Sequence, residues 1–113
     1  MKANNVDYVL QDGKIVSVTI DGKPVKAGFM RGLRKAQETP YWERIDTPVI
    51  ATNPFSGVRV ELNDFEATIY NFCIRWSRRA YNGLETNAPL QTFDDMKYFL
   101  LELNSNAYYS LLD

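Results

Sequence analysis

Between Asn63 and Gly83 the sequence has the pattern of one long helix that is apolar on two sides. Asn63 and Glu66 form a capping pair at its start, and Gly83 is placed for a left-handed stop after Asn82. The apolar residues form one stripe of Phe65, Ile69, Phe72, Trp76 and Ala80 and a second stripe of Tyr70, Ile74 and Tyr81. Such a helix needs cover on both sides, either from a sheet plus another helix or from a partner chain.

A first β-hairpin is predicted around Asp12-Gly13, which lies between two runs rich in β-branched residues. A type I′ turn needs positive φ at both central residues, and Asp-Gly suits this requirement. The expected pairs are Leu10 with Ile15 and Val9 with Val16, and the expected buried face of the second strand is Val16, Val18 and Ile20. A second Asp-Gly, at residues 21–22, ends this strand, and residues 23–25 form a candidate edge strand.

A second hairpin is predicted where residues 49–52 and 58–62 flank a loop of turn-forming residues, 53–57. The alternation of its second strand predicts the inward residues Val58, Val60 and Leu62. Between the hairpins, residues 26–37 have helical spacing, and residues 38–47 indicate an irregular segment fixed by two aromatic rings. That helix would bury Phe29, Leu33 and Ala36.

After a predicted loop from Gly83 to Gln91, Thr92 and Asp95 form a second capping signal. The helix that follows, 93–103, would bury Phe93, Met96, Phe99, Leu100 and Leu103. Residues 104–106 break this helix, and residues 107–112 predict a last short one. We therefore predict a single α+β domain, residues 1–113. In it, a small antiparallel sheet of two β-hairpins packs against the main helices 64–82 and 93–103.

The residue types exclude most familiar catalytic and metal sites. The chain has no histidine and one cysteine, so it lacks Ser-His-Asp and Cys-His catalysis and the usual zinc sites. No phosphate-binding glycine motif is present. Cys73 lies within the long helix as a small apolar residue, and the acidic pairs Asp64/Glu66 and Asp94/Asp95 suit the first turns of helices. We predict a protein that is not an enzyme and needs no cofactor or metal.

The charge balance argues against a bulk nucleic-acid binder, because 13 basic and 14 acidic residues give a net charge of −1. The charge is uneven: residues 1–37 hold seven Lys or Arg against three Asp, which is +4 and leaves −5 on the rest. One cysteine fits a reducing compartment. The sequence has no apolar run of membrane-spanning length and no signal-peptide core, so a cytoplasmic location is expected.

Two basic–aromatic clusters are candidate binding sites, one at Arg75, Arg78 and Arg79 and the other at Arg31, Arg34 and Lys35. Arg75, Arg78 and Arg79 share a helix face, where they suit an acidic partner surface, phosphates, or simply the C-terminal end of the helix dipole. Tyr108 and Tyr109 either close the core or insert into a partner. The leading prediction is an interaction protein that self-associates or binds a protein partner through Arg75, Trp76, Arg78, Arg79, Tyr108 and Tyr109. The alternative is a modest nucleic-acid binder that uses Arg31, Arg34, Lys35, Arg75, Arg78 and Arg79.

Three blocks also resemble parts of small uncharacterised proteins of tailed bacteriophages. They are residues 53–62, residues 65–72 and the ending 103–113, and together they cover about a quarter of the chain. This resemblance implies a virus-encoded protein made in the cytoplasm of a bacterial host, and it carries over no functional residues.

Overall fold

The computed structural model describes residues 5–84 and 89–112, so residues 85–88 of the predicted loop lie outside the described part. The elements in chain order are β1 (Val6–Gln11), β2 (Lys14–Ile20), β3 (Lys23–Pro24), α1 (Ala27–Gln37), β4 (Val49–Thr52), β5 (Arg59–Leu62), α2 (Asp64–Tyr81), α3 (Leu90–Leu103), α4 (Ser105–Ala107) and a C-terminal π-helix (Tyr108–Leu112). The α+β prediction is confirmed.

Both predicted hairpins are present, but they belong to separate antiparallel sheets. The first sheet has the order β1-β2-β3, and the second consists of β4 and β5. They stay apart because β2 packs on α1, whereas β5 packs on α2, α4 and the π-helix. The hairpins therefore cover different parts of one core rather than extending each other.

The first hairpin turns at Asp12 and Gly13, whose φ values of 54° and 79° confirm the predicted turn. Its register departs from the expected one after the Leu10–Ile15 pair, because Val9 lies opposite Ser17. The predicted pairing of Val9 with Val16 is therefore wrong. Val16 is the extra residue of a β-bulge and is 46% exposed, and Ile15 and Val18 are the buried residues of β2.

The loop of the second hairpin is held by Asn53, whose Oδ1 accepts hydrogen bonds from the backbone N–H groups of Phe55 and Ser56 at 2.8 and 3.2 Å. Asn53 Nδ2 also donates to the carbonyl of Ser110 at 2.8 Å, which ties this loop to the C-terminal π-helix. Val60 and Leu62 are buried as predicted. The inward placement of Val58 is wrong, because Val58 precedes β5 in the loop and is exposed.

Helix α1 joins the first sheet to α3. The side-chain amide of Gln37 accepts from the N–H of Ile15 at 2.8 Å and donates to its carbonyl at 3.0 Å, which fixes α1 on β2. Leu33 and Ala36 are buried as expected. Gly32 faces α3 so closely that a Cβ built on it would lie 2.6 Å from Asp95 Cβ.

Helix α2 begins as predicted and ends at Tyr81, one residue before the predicted end at 82. Asn63 Oδ1 accepts from the N–H of Glu66 at 2.8 Å, and Glu66 Oε1 accepts from the N–H of Asn63 at 2.9 Å, so the capping box is complete. Gly83, with φ of 72°, follows the C-cap Asn82. The first apolar stripe is buried from Phe65 to Trp76, whereas Ala80 at its end is exposed.

The predicted start of α3 is wrong. The helix begins at Leu90 after Pro89, and the N–H of Thr92 already donates to the Pro89 carbonyl at 3.0 Å. The fixed φ of proline prepares the chain for helix at this point. Thr92 is therefore inside the first turn and does not cap it. Asp95 lies in the second turn with Asp94, where it accepts from Gln91 Nε2 at 2.9 Å, so the capping interpretation of this acidic pair is also wrong.

The chain breaks after α3 at Asn104, as predicted, and its side chain caps the next turn by accepting from the N–H of Ala107 at 3.1 Å. The predicted last helix begins earlier, at Ser105, and continues as a π-helix. The core centres on Phe99, which stacks on Phe29 at 4.9 Å between ring centroids and meets Phe65 edge-on at 5.6 Å. Helices α1, α2 and α3 all contribute to this cluster.

Candidate protein-docking groove

The second apolar stripe of α2 is open to solvent. Tyr70 and Ile74 are half-buried, and Tyr81 is 92% exposed. These three residues line one wall of a groove of about 470 Å³. The sequence predicts that both stripes of this helix need cover, and in the described part of the chain only the first stripe is buried, from Phe65 to Trp76.

The opposite wall of this groove comes from the end of β4 and the β4–β5 loop, through Thr52, Pro54 and Phe55. Phe55 is 97% exposed, although its loop is fixed by three hydrogen bonds of the Asn53 side chain. A fixed loop that holds a solvent-exposed aromatic ring beside an apolar groove is typical of a binding surface.

A second groove of about 330 Å³ continues the first along α2 toward β4. Both are lined by Thr52, Tyr70, Ile74 and Arg78. We refer to the two together as the α2 groove. Its apolar lining includes Val49 and Ala51 from β4 and the half-buried Tyr70 and Ile74 from α2.

Two arginines are the charged residues that line the described part of the α2 groove. Arg75 is held by the segment after α1: its Nη1 donates to the Tyr41 carbonyl at 3.1 Å and lies 3.6 Å from Glu43 Oε1. Arg78 is exposed and forms no ion pair with any residue of 5–84 or 89–112. Burial raises the pKa of the nearby Tyr70 phenol, and the charge of Arg78 opposes this rise.

The remaining residues of the leading prediction are divided between core and surface. Trp76 is 8% exposed and its ring stacks on Phe93 at 4.4 Å, so this tryptophan packs within the fold. Tyr108 is also buried, whereas Tyr109 is exposed with its ring edge-on to Tyr108 at 5.1 Å. Arg79 is exposed. The structure thus brings Arg75 and Arg78 to one groove and places the tyrosines at the C-terminal end.

The cations of the alternative prediction lie on two helices. Arg31, Arg34 and Lys35 are all exposed on α1, which packs on β2 and α3. Arg78 and Arg79 are on α2, and Arg75 is engaged by the segment that follows α1. The α1 cations are thus free to meet solvent ions, whereas Arg75 already has partners within the fold.

Sequence reasoning missed Phe55 as a site residue, although a large apolar side chain within a loop of turn formers is itself a signal. It identified Tyr70, Ile74 and Tyr81 as a stripe that needs cover but did not include them in a site. The sequence did not show whether sheet, helix or partner covers that stripe.

The described residues contain no group of three or more Asp, Glu, Cys or His side chains that could hold a metal ion. Within the same residues, no helix combines the length and the apolar character needed to cross a membrane. Cys73 is fully buried, and this burial raises the pKa of its thiol from 9.0 to about 12. The thiol is therefore protonated at neutral pH and lacks the character of a nucleophile.

We expect Cys73 of the folded protein to be unreactive toward a disulfide reagent such as Ellman's reagent at mildly alkaline pH, and to react fully in denaturant. Because the folded state holds the thiol protonated above its ordinary pKa, unfolding becomes more favourable as pH rises from 9.0 toward 12. Spectrophotometric thiol titration with and without urea measures both states. Rapid labelling of the native protein would contradict the buried position.

Comparison of the chain with protein-family models, with curated proteins and with solved structures gives no match.

Proposed function

We propose that this chain is a non-enzymatic interaction protein and that the α2 groove is its docking surface for a segment of another protein. The observation that carries the proposal is the open second stripe of α2 beside the exposed ring of Phe55. Apolar side chains gain free energy when a partner removes them from water, at about 25 cal/mol per Å² of apolar surface. Exposed aromatic residues next to a groove are typical anchors for such contacts.

Charge favours a different protein over a second copy of this chain as the occupant. The described lining of the α2 groove carries Arg75 and Arg78 and no acidic residue. A two-fold pair of chains would place the same groove, with the same positive charge, on both sides of the interface. A partner segment with apolar side chains and a carboxylate for Arg78 complements both the apolar lining and the positive charge of the groove.

The test uses peptides selected on the folded protein from a displayed library of random dodecapeptides. We expect the selected peptides to combine apolar residues with Asp or Glu. Ile74→Asn and Arg78→Gln should each weaken their binding by about tenfold, because one places an amide in the apolar wall of the groove and the other removes the cation. Val16→Asn and Arg31→Gln make matched changes at exposed positions outside the groove and should leave the Kd within about twofold.

Fluorescence anisotropy of labelled peptides gives these Kd values. Peptides that bind all four variants equally would overturn the docking surface, and so would a selection that enriches nothing. Sedimentation velocity of the chain alone tests self-association. A dimer that Ile74→Asn dissociates would assign the groove to a second copy and overturn the choice of a different protein.

Nucleic acid is tested in the same assay with a labelled single-stranded oligonucleotide as the probe. Counterion release makes phosphate binding fall steeply with salt. Binding that shows this dependence and is lost when Arg31, Arg34 and Lys35 are changed to glutamine would favour the nucleic-acid alternative and count against the groove. Absence of such binding supports the proposed protein partner.

A further inference from the structure

The β4 strand has an open edge beside the α2 groove. In its sheet β4 is hydrogen-bonded to β5, and α4 and the C-terminal π-helix pack on β5. No backbone hydrogen bond in the described residues joins β4 to a strand other than β5. An unpaired strand edge is a template for pairing with another chain.

The direction of the free backbone groups follows from the register. Asn53 donates its backbone N–H to the Val58 carbonyl at 2.9 Å, and the pairs along the strands are Val49–Leu62, Ile50–Glu61, Ala51–Val60 and Thr52–Arg59. Hydrogen-bonded pairs alternate with non-hydrogen-bonded pairs in an antiparallel ladder. Ala51 and Val49 therefore point their N–H and C=O groups at β5, and Ile50 and Thr52 point theirs outward.

We propose that the partner segment binds in extended form, as a strand added to the open edge of β4, and this inference rests on the proposed function. The outward groups of Ile50 and Thr52 supply the main-chain hydrogen bonds. Alternate side chains of the added strand then lie on the face shared by Val49 and Ala51, where the α2 groove receives them. An acidic side chain of the partner reaches Arg78.

The sequence around β4 limits this edge to a short, specific pairing. Along the chain, the next residues on the outward-pointing side of the strand, before Ile50 and after Thr52, are Pro48 and Pro54. Proline has no backbone N–H to donate. Two outward backbone N–H donors therefore remain between the two prolines, and this prevents a long strand from pairing along the edge. A second copy of β4 is a poor occupant, because no acidic residue lies between Thr47 and Pro54 to meet the groove's cation.

The test removes one outward donor from the protein. Ile50→Pro deletes an N–H that the β4–β5 ladder does not use, and we expect it to weaken binding of the selected peptides by at least about tenfold. Ile50→Ala shortens the same exposed side chain but keeps the N–H, and it should leave the Kd within about twofold. Thermal unfolding of both variants checks that the fold is kept.

N-methylated peptides provide the same test on the partner and do not depend on the folding of Ile50→Pro. Two versions of a selected peptide carry methyl groups on every second backbone nitrogen, starting from adjacent residues. One version should lose binding and the other should keep it, because only one edge of the added strand faces β4. Equal effects in both versions, or equal Kd values for Ile50→Pro and Ile50→Ala, would overturn strand addition. If Ile74→Asn still weakened binding, the groove would remain the docking surface and only the extended mode would fail.

Discussion

Phe99→Ala is expected to lower the free energy of unfolding by about 4 kcal/mol, the largest effect of any substitution considered for this chain. Phe99 is fully buried, stacks on Phe29 and meets Phe65 edge-on. The substitution removes the ring that joins α1, α2 and α3 and leaves a cavity among side chains that cannot fully collapse into it. Urea denaturation followed by circular dichroism gives the free energy, with an expected fall in Tm of about 15 °C.

Phe55→Ala is the matched control, because it makes the same change at a ring that is 97% exposed. Its unfolding free energy should change by less than about 0.5 kcal/mol. The pair also separates stability from function, since Phe55→Ala is expected to weaken peptide binding and Phe99→Ala to act through unfolding. Equal destabilisation by the two variants would contradict the placement of Phe99 at the centre of the core.

The second large effect is expected at Gly32, where α1 lies in close contact with α3. A Cβ at this position would lie 2.6 Å from Asp95 Cβ and 3.1 Å from Met96 Cε. Asp95 Cβ is attached directly to the backbone of α3, so the two helices must separate. Gly32→Ala should therefore lower the unfolding free energy by about 2 kcal/mol, even though alanine favours helix by about 1 kcal/mol over glycine.

Gly28→Ala is the control for helix propensity in α1. A Cβ there meets nothing closer than the end of the Arg31 side chain, at 3.7 Å. This variant should be as stable as the parent or more stable by up to about 1 kcal/mol. Denaturant titration of both variants measures the difference. A Gly32→Ala protein that is also stabilised would show that the helices are not in close contact.

The parts of the fold that sequence predicts well are those fixed by neighbouring residues. The Asp12-Gly13 turn and the Asn63–Glu66 capping box each depend on a few adjacent side chains and backbone angles, and both are present. The Val16 bulge could not be predicted, because alternation along β2 is equally compatible with a regular strand. At the start of α3, Pro89 competes with the Thr92 signal, and the proline determines where the helix begins.

The candidate site could be predicted only in part, because it depends on which elements cover which face. The two stripes of α2 are visible in the sequence. Only tertiary packing shows that α3 and the core bury the first stripe and leave Tyr70 and Ile74 partly exposed to solvent. Trp76 illustrates the same limit. Its neighbours Arg75 and Ser77 suggest a surface cluster, whereas the ring packs on Phe93 of α3.

The most direct test of the docking surface is a nitrogen–proton correlation spectrum of the labelled chain, titrated with a peptide selected on it. We expect the largest shift changes on β4 and on the residues of α2 around Ile74 and Arg78. Shift changes concentrated on α1 around Arg31, with β4 and α2 unmoved, would contradict the proposed docking surface.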